Sequence, residues 1–288
     1  MRVKILTDTS CGISREEMKS LGIEMIALPF LIDDVEYDED ELTKDEFYKK
    51  LKAAKDVHTS SATMEEVIET IDNLMKDADV VMYFPITSGL SSSYYTGLTI
   101  AEKSRFKDKL IVVNHKTISV LQRFLLNDVL QLLKENVDPY RIKELAEENA
   151  KNNKIYIAVD TLEYLKKGGR MSSMSATIGT MLNIKPVLFS NGNKFEVVKK
   201  SRGFKAAEDD LIDFIKRDLN DHFKDTDIRD LSIGVAYTKC LDSAKVFKEK
   251  VENELKTNII LDELSAVIGC HIGEGALALA IYKKIYEN

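Results

Sequence analysis

The feature that most constrains this chain is an alternation of short apolar runs with amphipathic segments, sustained almost from end to end. RVKIL (2–6) is followed by a helix that Ser14 and Glu17 open as a capping box and that stops near Gly22. IEMIALPFLI (23–32) is strand-like, with Pro29 marking an edge or bend. Thr43 with Glu46 and Thr63 with Glu66 start helices reaching about Ala54 and Lys76. DVVMYFPI (79–86) and KLIVV (109–113) read as buried strands, and helices follow near 119–135 and 139–152, separated at Pro139. Strand then helix with short connections specifies a mostly parallel sheet covered on both faces. The later part differs: IYIAV (155–159), KPVLF (185–189) and KFEVV (194–198) are strands, the last two joined by the hairpin signal Ser190-Asn191-Gly192-Asn193. A helix near 204–219, a strand at 231–237, a helix near 242–256 and a C-terminal helix complete the pattern. The expectation is an α/β protein of two domains. Residues 1–154 form an N-terminal, mostly parallel sheet flanked by helices, and residues 155–288 a mixed-sheet α+β domain.

Composition excludes several function classes. With 48 Asp and Glu against 41 Lys and Arg, the net charge of −7 argues against a sequence-independent nucleic-acid binder or a DNA-associated regulator. No apolar run approaches the roughly 20 residues that span a bilayer. The N-terminus lacks an apolar signal core, and the three cysteines (Cys11, Cys240, Cys270) make neither a disulfide framework nor a CxxC metal site. A cytoplasmic location is expected. The histidines are too dispersed for a metal centre, no phosphate loop occurs, and Gly273-Glu274-Gly275 lies too near the end of the chain to open a dinucleotide fold. No cofactor is expected.

Three hydroxyl-rich segments fall at strand-to-loop junctions, where doubly wound sheets bind ligands: TDTS (7–10), HTSSAT (58–63) and ITSGLSSSYYTG (86–97). Helix N-termini with Ser and Thr also favour anions. For Ser14, Thr43 and Thr63 an ordinary N-cap is sufficient explanation, but one cap cannot account for the four serines between 88 and 93. His271, in HIGEGA, reads as lying between an apolar strand-like run and a glycine turn, and Lys167-Gly168-Gly169-Arg170 as a loosened turn carrying cations.

TDTS, HTSSAT, ITSGLSSSYYTG, DTLEYLKKGGRMS, IKPVLF with KKSRG, and HIGEGALALA together, in order over roughly 270 residues, resemble the DegV family of fatty-acid-binding proteins, the lipid carriers of bacterial fatty acid kinase. The resemblance implies a long acyl chain (the palmitate, oleate or stearate class) buried between or beside two α/β domains. It also implies a separate ATP-binding kinase subunit that phosphorylates the bound carboxylate, giving acyl-phosphate for phospholipid synthesis. The carrier itself would have no catalytic residues, and transient contact with a membrane surface fits such a role. Carried onto this chain, the carboxylate contacts are Thr59, Ser60, Ser88, Gly89, Ser91, Ser92 and His271, with Arg170 and Arg202 near the head group and the kinase contact. The chain departs from the family pattern at Ser61-Ala62 (Gln-Pro is common), Glu274 (Pro is common), Asn114-His115 (Asp-Ser is usual) and Leu121 (Gly is usual). Glu274 places a negative charge beside the head-group histidine, while Asn114 and Leu121 bear on packing or chain-length preference.

The physics suits a carrier. A dozen buried methylenes contribute on the order of 10 kcal/mol at about 0.8 kcal/mol each, as an upper figure. The carboxylate must then be fully hydrogen-bonded. Two rival readings are a dihydroxyacetone-kinase-like substrate subunit, with His271 binding a small carbonyl compound covalently, and a serine hydrolase using Ser91 with His271 as base. The hydrolase reading lacks both the G-x-S-x-G elbow and an acidic partner for the histidine.

Overall fold

The computed structural model describes residues 1–172 and 183–286. In chain order its elements are β1 (Val3–Asp8), α1 (Arg15–Leu21), β2 (Ile23–Ile26), β3 (Phe30–Ile32), β4 (Val35–Tyr37), α2 (Lys44–Ala53), β5 (Val57–Thr59), α3 (Met64–Leu74), β6 (Val80–Phe84), α4 (Ser93–Ala101), β7 (Leu110–Val112), α5 (Val120–Lys134), α6 (Pro139–Glu148), β8 (Lys154–Ala158), α7 (Glu163–Lys167), β9 (Ile184–Ser190), β10 (Glu196–Arg202), α8 (Phe204–Asp221), β11 (Leu231–Tyr237), α9 (Leu241–Leu255), β12 (Ile260–Glu263), α10 (Ala266–Ile272) and β13 (Leu277–Lys283). The first sheet, in the order β2-β1-β6-β7, is entirely parallel. A mixed sheet runs β10-β9-β8-β13-β11-β12, and a small antiparallel sheet runs β4-β3-β5.

The mixed α/β class and the parallel first sheet match the sequence expectation. Thr43 and Thr63 form complete capping boxes with Glu46 and Glu66, and the Ser14 side chain accepts the Glu17 amide. Four details differ. The run 23–32 breaks at Pro29 into β2 and β3, which belong to different sheets. The second hairpin strand begins at Glu196 and continues to Arg202. The three-residue strands β4 and β5 and the strand β12 escaped a pattern search because each is short and only partly buried. The expected C-terminal helix is instead the short α10 followed by strand β13. Gly273 (φ 78°) and Gly275 (φ 79°) make the left-handed turn between them. β13 lies inside the mixed sheet with Leu277–Tyr282 buried, so it reads as an unbroken apolar run with no period of two.

α5 lies between the parallel and mixed sheets and is buried nearly all round, including Val120, Leu121, Phe124, Leu125, Leu126 and Val129. One apolar core therefore runs from Ile5, Met82 and Phe84 through α5 to Ile155, Ile157 and Ala278. Polar groups tie these layers together. Gln122 on α5 donates from Nε2 to Thr7 Oγ1 (2.8 Å) and to the Phe84 carbonyl (3.1 Å), bridging β1 and β6. Asp8, fully buried at the carboxyl end of β1, accepts from Ser10 N (3.1 Å), Ser10 Oγ and Ile86 N (2.6 Å). TDTS is thus mainly an internal clasp, although Thr9 also borders a polar cavity.

Burial raises the Asp8 carboxyl from 3.8 to about 6, against the opposing bonds from Ser10 and Ile86. The native state then holds this proton more tightly than the unfolded chain, so the group lowers stability as pH rises through that window. The difference corresponds to about 3 kcal/mol. Asp8→Asn removes the titration. Urea unfolding of both proteins at several pH values should show the wild type losing about 2 kcal/mol relative to the variant between pH 4 and 7. A constant difference would contradict this account.

Candidate functional site

A cavity of about 260 Å³ opens where the two large sheets approach each other, just under the roughly 300–1,000 Å³ usual for ligand pockets. Its apolar walls are Ile86 and Leu90 from the β6–α4 loop, Ile118 from the segment before α5, Phe195 from the β9–β10 turn, and Val267, Ile268 and Ile272 from α10. Thr59, Ser60, Ser61, Ser91, Ser92, Arg170 and His271 supply its polar part. Ser60 and Ser92 are exposed whereas Ile118, Val267 and Ile272 are buried, so the hydroxyls mark the mouth and the apolar side chains the interior.

Each polar group has a definite support. Thr59 ends β5, the edge of the small sheet, and Ser60 N donates to the Pro29 carbonyl (3.0 Å). Ser91 Oγ lies 3.0 Å from both Ser61 Oγ and Ser93 Oγ, and Ser61 Oγ is 3.3 Å from Ser92 Oγ. Ser92 is the N-cap residue of α4, yet its side chain makes no capping bond. Arg170 donates from Nε to the Leu90 carbonyl (3.3 Å) and from Nη1 to the Gly168 carbonyl (2.6 Å). Among the described residues no carboxylate pairs with it.

His271 sits in the last turn of α10, not after a strand, and its Nε2 is 2.8 Å from Thr59 Oγ1. Its Nδ1 is buried and has no partner among the described residues. Burial first, and the Arg170 charge second, push the imidazole down to about 4, so it is neutral at ordinary pH. An N–H at Nδ1 would be a buried unpaired donor beside a cation, costing about 1–3 kcal/mol. The proton therefore belongs on Nε2 and is donated to Thr59, which leaves the Thr59 hydroxyl proton free to point into the cavity.

Six of the nine side chains or glycines singled out from sequence meet here: Thr59, Ser60, Ser91, Ser92, Arg170 and His271. Three do not line the cavity. Ser88 donates to Asn114 Oδ1 (2.8 Å) and accepts from Lys116 Nζ (2.6 Å), fastening the loop to the segment after β7. Gly89 lies against the β9–β10 turn, where a Cβ would come 2.2 Å from the Gly192 carbonyl oxygen; it is a close-packing glycine. Arg202 is exposed at the far end of β10, opposite Ile184, whereas Phe195 at the turn end faces the cavity. Seven positions of strand place it roughly 20 Å away at about 3.3 Å per residue. Ser61, which in the sequence stands out only as a departure from the family pattern within HTSSAT, also lines the cavity. The sequence reading missed Phe195, for which a turn residue carries no periodic signal. Among the described residues no group of three or more His, Cys, Asp or Glu could hold a metal ion. A larger cavity of about 670 Å³, beyond the other end of α10, is bordered by Glu17, Glu39, Asp40, Glu41, Arg123 and Glu263 and does not suit an acyl chain.

A family model described as "Uncharacterised protein, DegV family" matches residues 2–284. The chain belongs to the DegV family. A DegV domain-containing protein of Staphylococcus aureus (strain N315) is 28% identical over 284 residues, covering 97% of this chain and 98% of that protein. The structure of a fatty acid binding DegV family protein from Streptococcus agalactiae superposes with a TM-score of 0.85 at 27% identity, covering 99% of each chain. That of DegV, a fatty acid binding protein from Bacillus subtilis, gives 0.82 at 26% identity, covering 99% of this chain and 100% of that one. No described helix of this DegV chain is long and apolar enough to cross a membrane.

Gly168 supplies a test of the histidine geometry. A Cβ there would lie 2.1 Å from His271 Nδ1 and 2.6 Å from Cε1, so Gly168→Ala must displace the ring and break the Thr59 bond. In nitrogen-15 spectra of the wild type, His271 should show a proton on Nε2 and no protonation above pH 5. Gly168→Ala should abolish that signature, and an unchanged ring environment would refute the contact.

Proposed function

We propose that this protein holds a long-chain fatty acid with its carboxylate at the hydroxyl-lined mouth and its hydrocarbon inward among Ile86, Ile118, Val267, Ile268 and Ile272. The observation that carries the reading is the gradient within one cavity, from Ser and Thr hydroxyls at the exposed end to Ile and Val at the buried end. The fatty-acid-binding relatives that share the fold support the same ligand class. The tail supplies most of the affinity through burial, and Thr59 and Ser91 donate to the carboxylate. Hydrogen bonds to a charged group contribute about 1.5–3 kcal/mol each. In the same proposal the chain divides near residue 154, with the lipid between or beside the two parts.

The carboxylate is presented to a separate ATP-dependent kinase subunit, which converts it to an acyl-phosphate used in phospholipid synthesis, and the carrier works in the cytoplasm. Arg170 supports this step: it borders the mouth, bonds only carbonyl oxygens among the described residues, and so keeps its charge for an anion. Phosphoryl transfer depends on holding the acceptor oxygen in line, so positioning is the carrier's part of the chemistry. The hydrolase alternative fares badly, because His271 is bonded to Thr59 while Ser91 is bonded to Ser61 and Ser93. The seven apolar walls do not suit a small polar carbonyl substrate.

Native mass spectrometry of the protein as purified, followed by solvent extraction, should release a long-chain fatty acid in near-stoichiometric amount. Thr59→Ala and His271→Ala should each weaken retention by roughly ten- to a hundredfold, the loss of one charge-assisted bond. An empty protein that also refuses added palmitate or oleate would sink the reading. Because His271 is already neutral, retention should stay constant from pH 8 to pH 6.5, above the titration of Asp8 and of the ligand's own carboxyl. A histidine that bound the anion as a cation would instead lose affinity as pH rose through about 6.5. Arg170→Ala that keeps full kinase-coupled turnover would count against the presenting role.

A further inference from the structure

The mouth carries more hydroxyl groups than a carboxylate can use. Thr59, Ser60, Ser61, Ser91 and Ser92 all border it, and Ser93 stands behind Ser91. A carboxylate has two oxygens and about four lone-pair sites, all acceptors. In the proposed binding mode Thr59, oriented by His271, and Ser91, just before α4, donate to two of those sites from two different loops.

Ser61 is the hydroxyl that stands directly beside Ser91, and its placement is particular. It stands on the β5–α3 loop and reaches across the mouth, with its Oγ 3.0 Å from Ser91 Oγ and 3.3 Å from Ser92 Oγ. Those hydroxyls are its side-chain partners among the described residues. A serine hydroxyl both donates and accepts, and its hydrogen rotates to suit the partner. Ser61 and Ser91 therefore form a pair of reorientable groups one hydrogen bond apart. A ligand with two oxygens on adjacent carbons, one a carboxylate and the other a hydroxyl, matches that pair. In that mode an acyl chain with hydrogen alone on carbon 2 would offer Ser61 no partner beyond Ser91 and Ser92.

Building on the fatty-acid reading, we propose that Ser61 binds a hydroxyl on carbon 2 of the acyl chain, so that 2-hydroxy fatty acids are ligands of this cavity alongside unsubstituted ones. The carboxylate occupies Thr59 and Ser91. The carbon-2 hydroxyl accepts from or donates to Ser61, which keeps Ser92 as its second partner. The remaining chain enters the apolar interior unchanged. Ser61 acts here as a specificity residue.

The test uses delipidated full-length protein and three probes: hexadecanoate, 2-hydroxyhexadecanoate and 16-hydroxyhexadecanoate, with binding measured by calorimetry. Wild type should bind the first two within about threefold of each other and reject the third, whose hydroxyl would be buried unpaired, by about tenfold or more. Ser61→Ala should weaken 2-hydroxyhexadecanoate about tenfold more than it weakens hexadecanoate. Ser61→Thr keeps the hydroxyl and should restore the 2-hydroxy ligand. The assignment is overturned if wild type disfavours 2-hydroxyhexadecanoate tenfold, or if Ser61→Ala weakens both acids alike. Failure to bind hexadecanoate at all would instead overturn the carrier reading, and this assignment with it.

Discussion

A carboxylate without access to water holds the root of the binding loop. Asp8 ends β1 inside the protein, and its Oδ2 takes the amide of Ile86, the residue at which β6 turns into the cavity wall. The neighbouring carbonyl, Pro85 O, is bonded by the buried His115, and Gln122 joins the same two strands to α5. Fixing an anion by several N–H and O–H donors offsets part of its desolvation cost and leaves little freedom in the bond directions. The outer part of the loop is held separately, by Thr87 donating to the Gly192 carbonyl and by Lys116 donating to Ser88. Beyond both anchorages, and just before α4, stand Leu90 and Ser91, which line the cavity.

The chemistry of the mouth follows from neutral groups more than from charge. His271 is kept uncharged by burial and by Arg170, and its value lies in fixing the direction of the Thr59 hydroxyl. Hydroxyl groups adapt to carboxylate, alcohol or water without carrying a counter-charge into an apolar site. Arg170 stands at the rim, where in the proposed function a cation would meet the anion at smaller desolvation cost than in the interior.

Much of this was legible in the sequence, and the failures have physical causes. The parallel sheet and its capped helices were readable because local signals and tertiary structure agree at Thr43, Thr63 and Ser14. β13 was misread because a strand buried on both faces loses its period of two, and α10 because seven residues are too few to establish a period of 3.6. Ser88 and Gly89 belong to the same serine-rich loop as Ser91, and composition alone cannot say which members face inward. Arg202 was carried by a motif, but hairpin register, which no motif encodes, places it at the opposite end of β10. Ser61 stood out in the sequence only as a departure from the family pattern, so no motif assigned it a contact, and the fold alone brings it to the mouth.

The cavity is, structurally, a gap in the core shared by α5, the parallel sheet and the mixed sheet. Any apolar ligand that fills it takes the place of side chains the sequence does not supply. The occupied protein is the better-packed one, and by linkage a ligand at a thousand times its Kd adds about 4 kcal/mol to the free energy of unfolding. Under the proposed function the ligand would therefore govern the persistence of the protein as well as its activity. Empty molecules would unfold and be degraded sooner than filled ones, and the abundance of the protein would track the supply of its ligand.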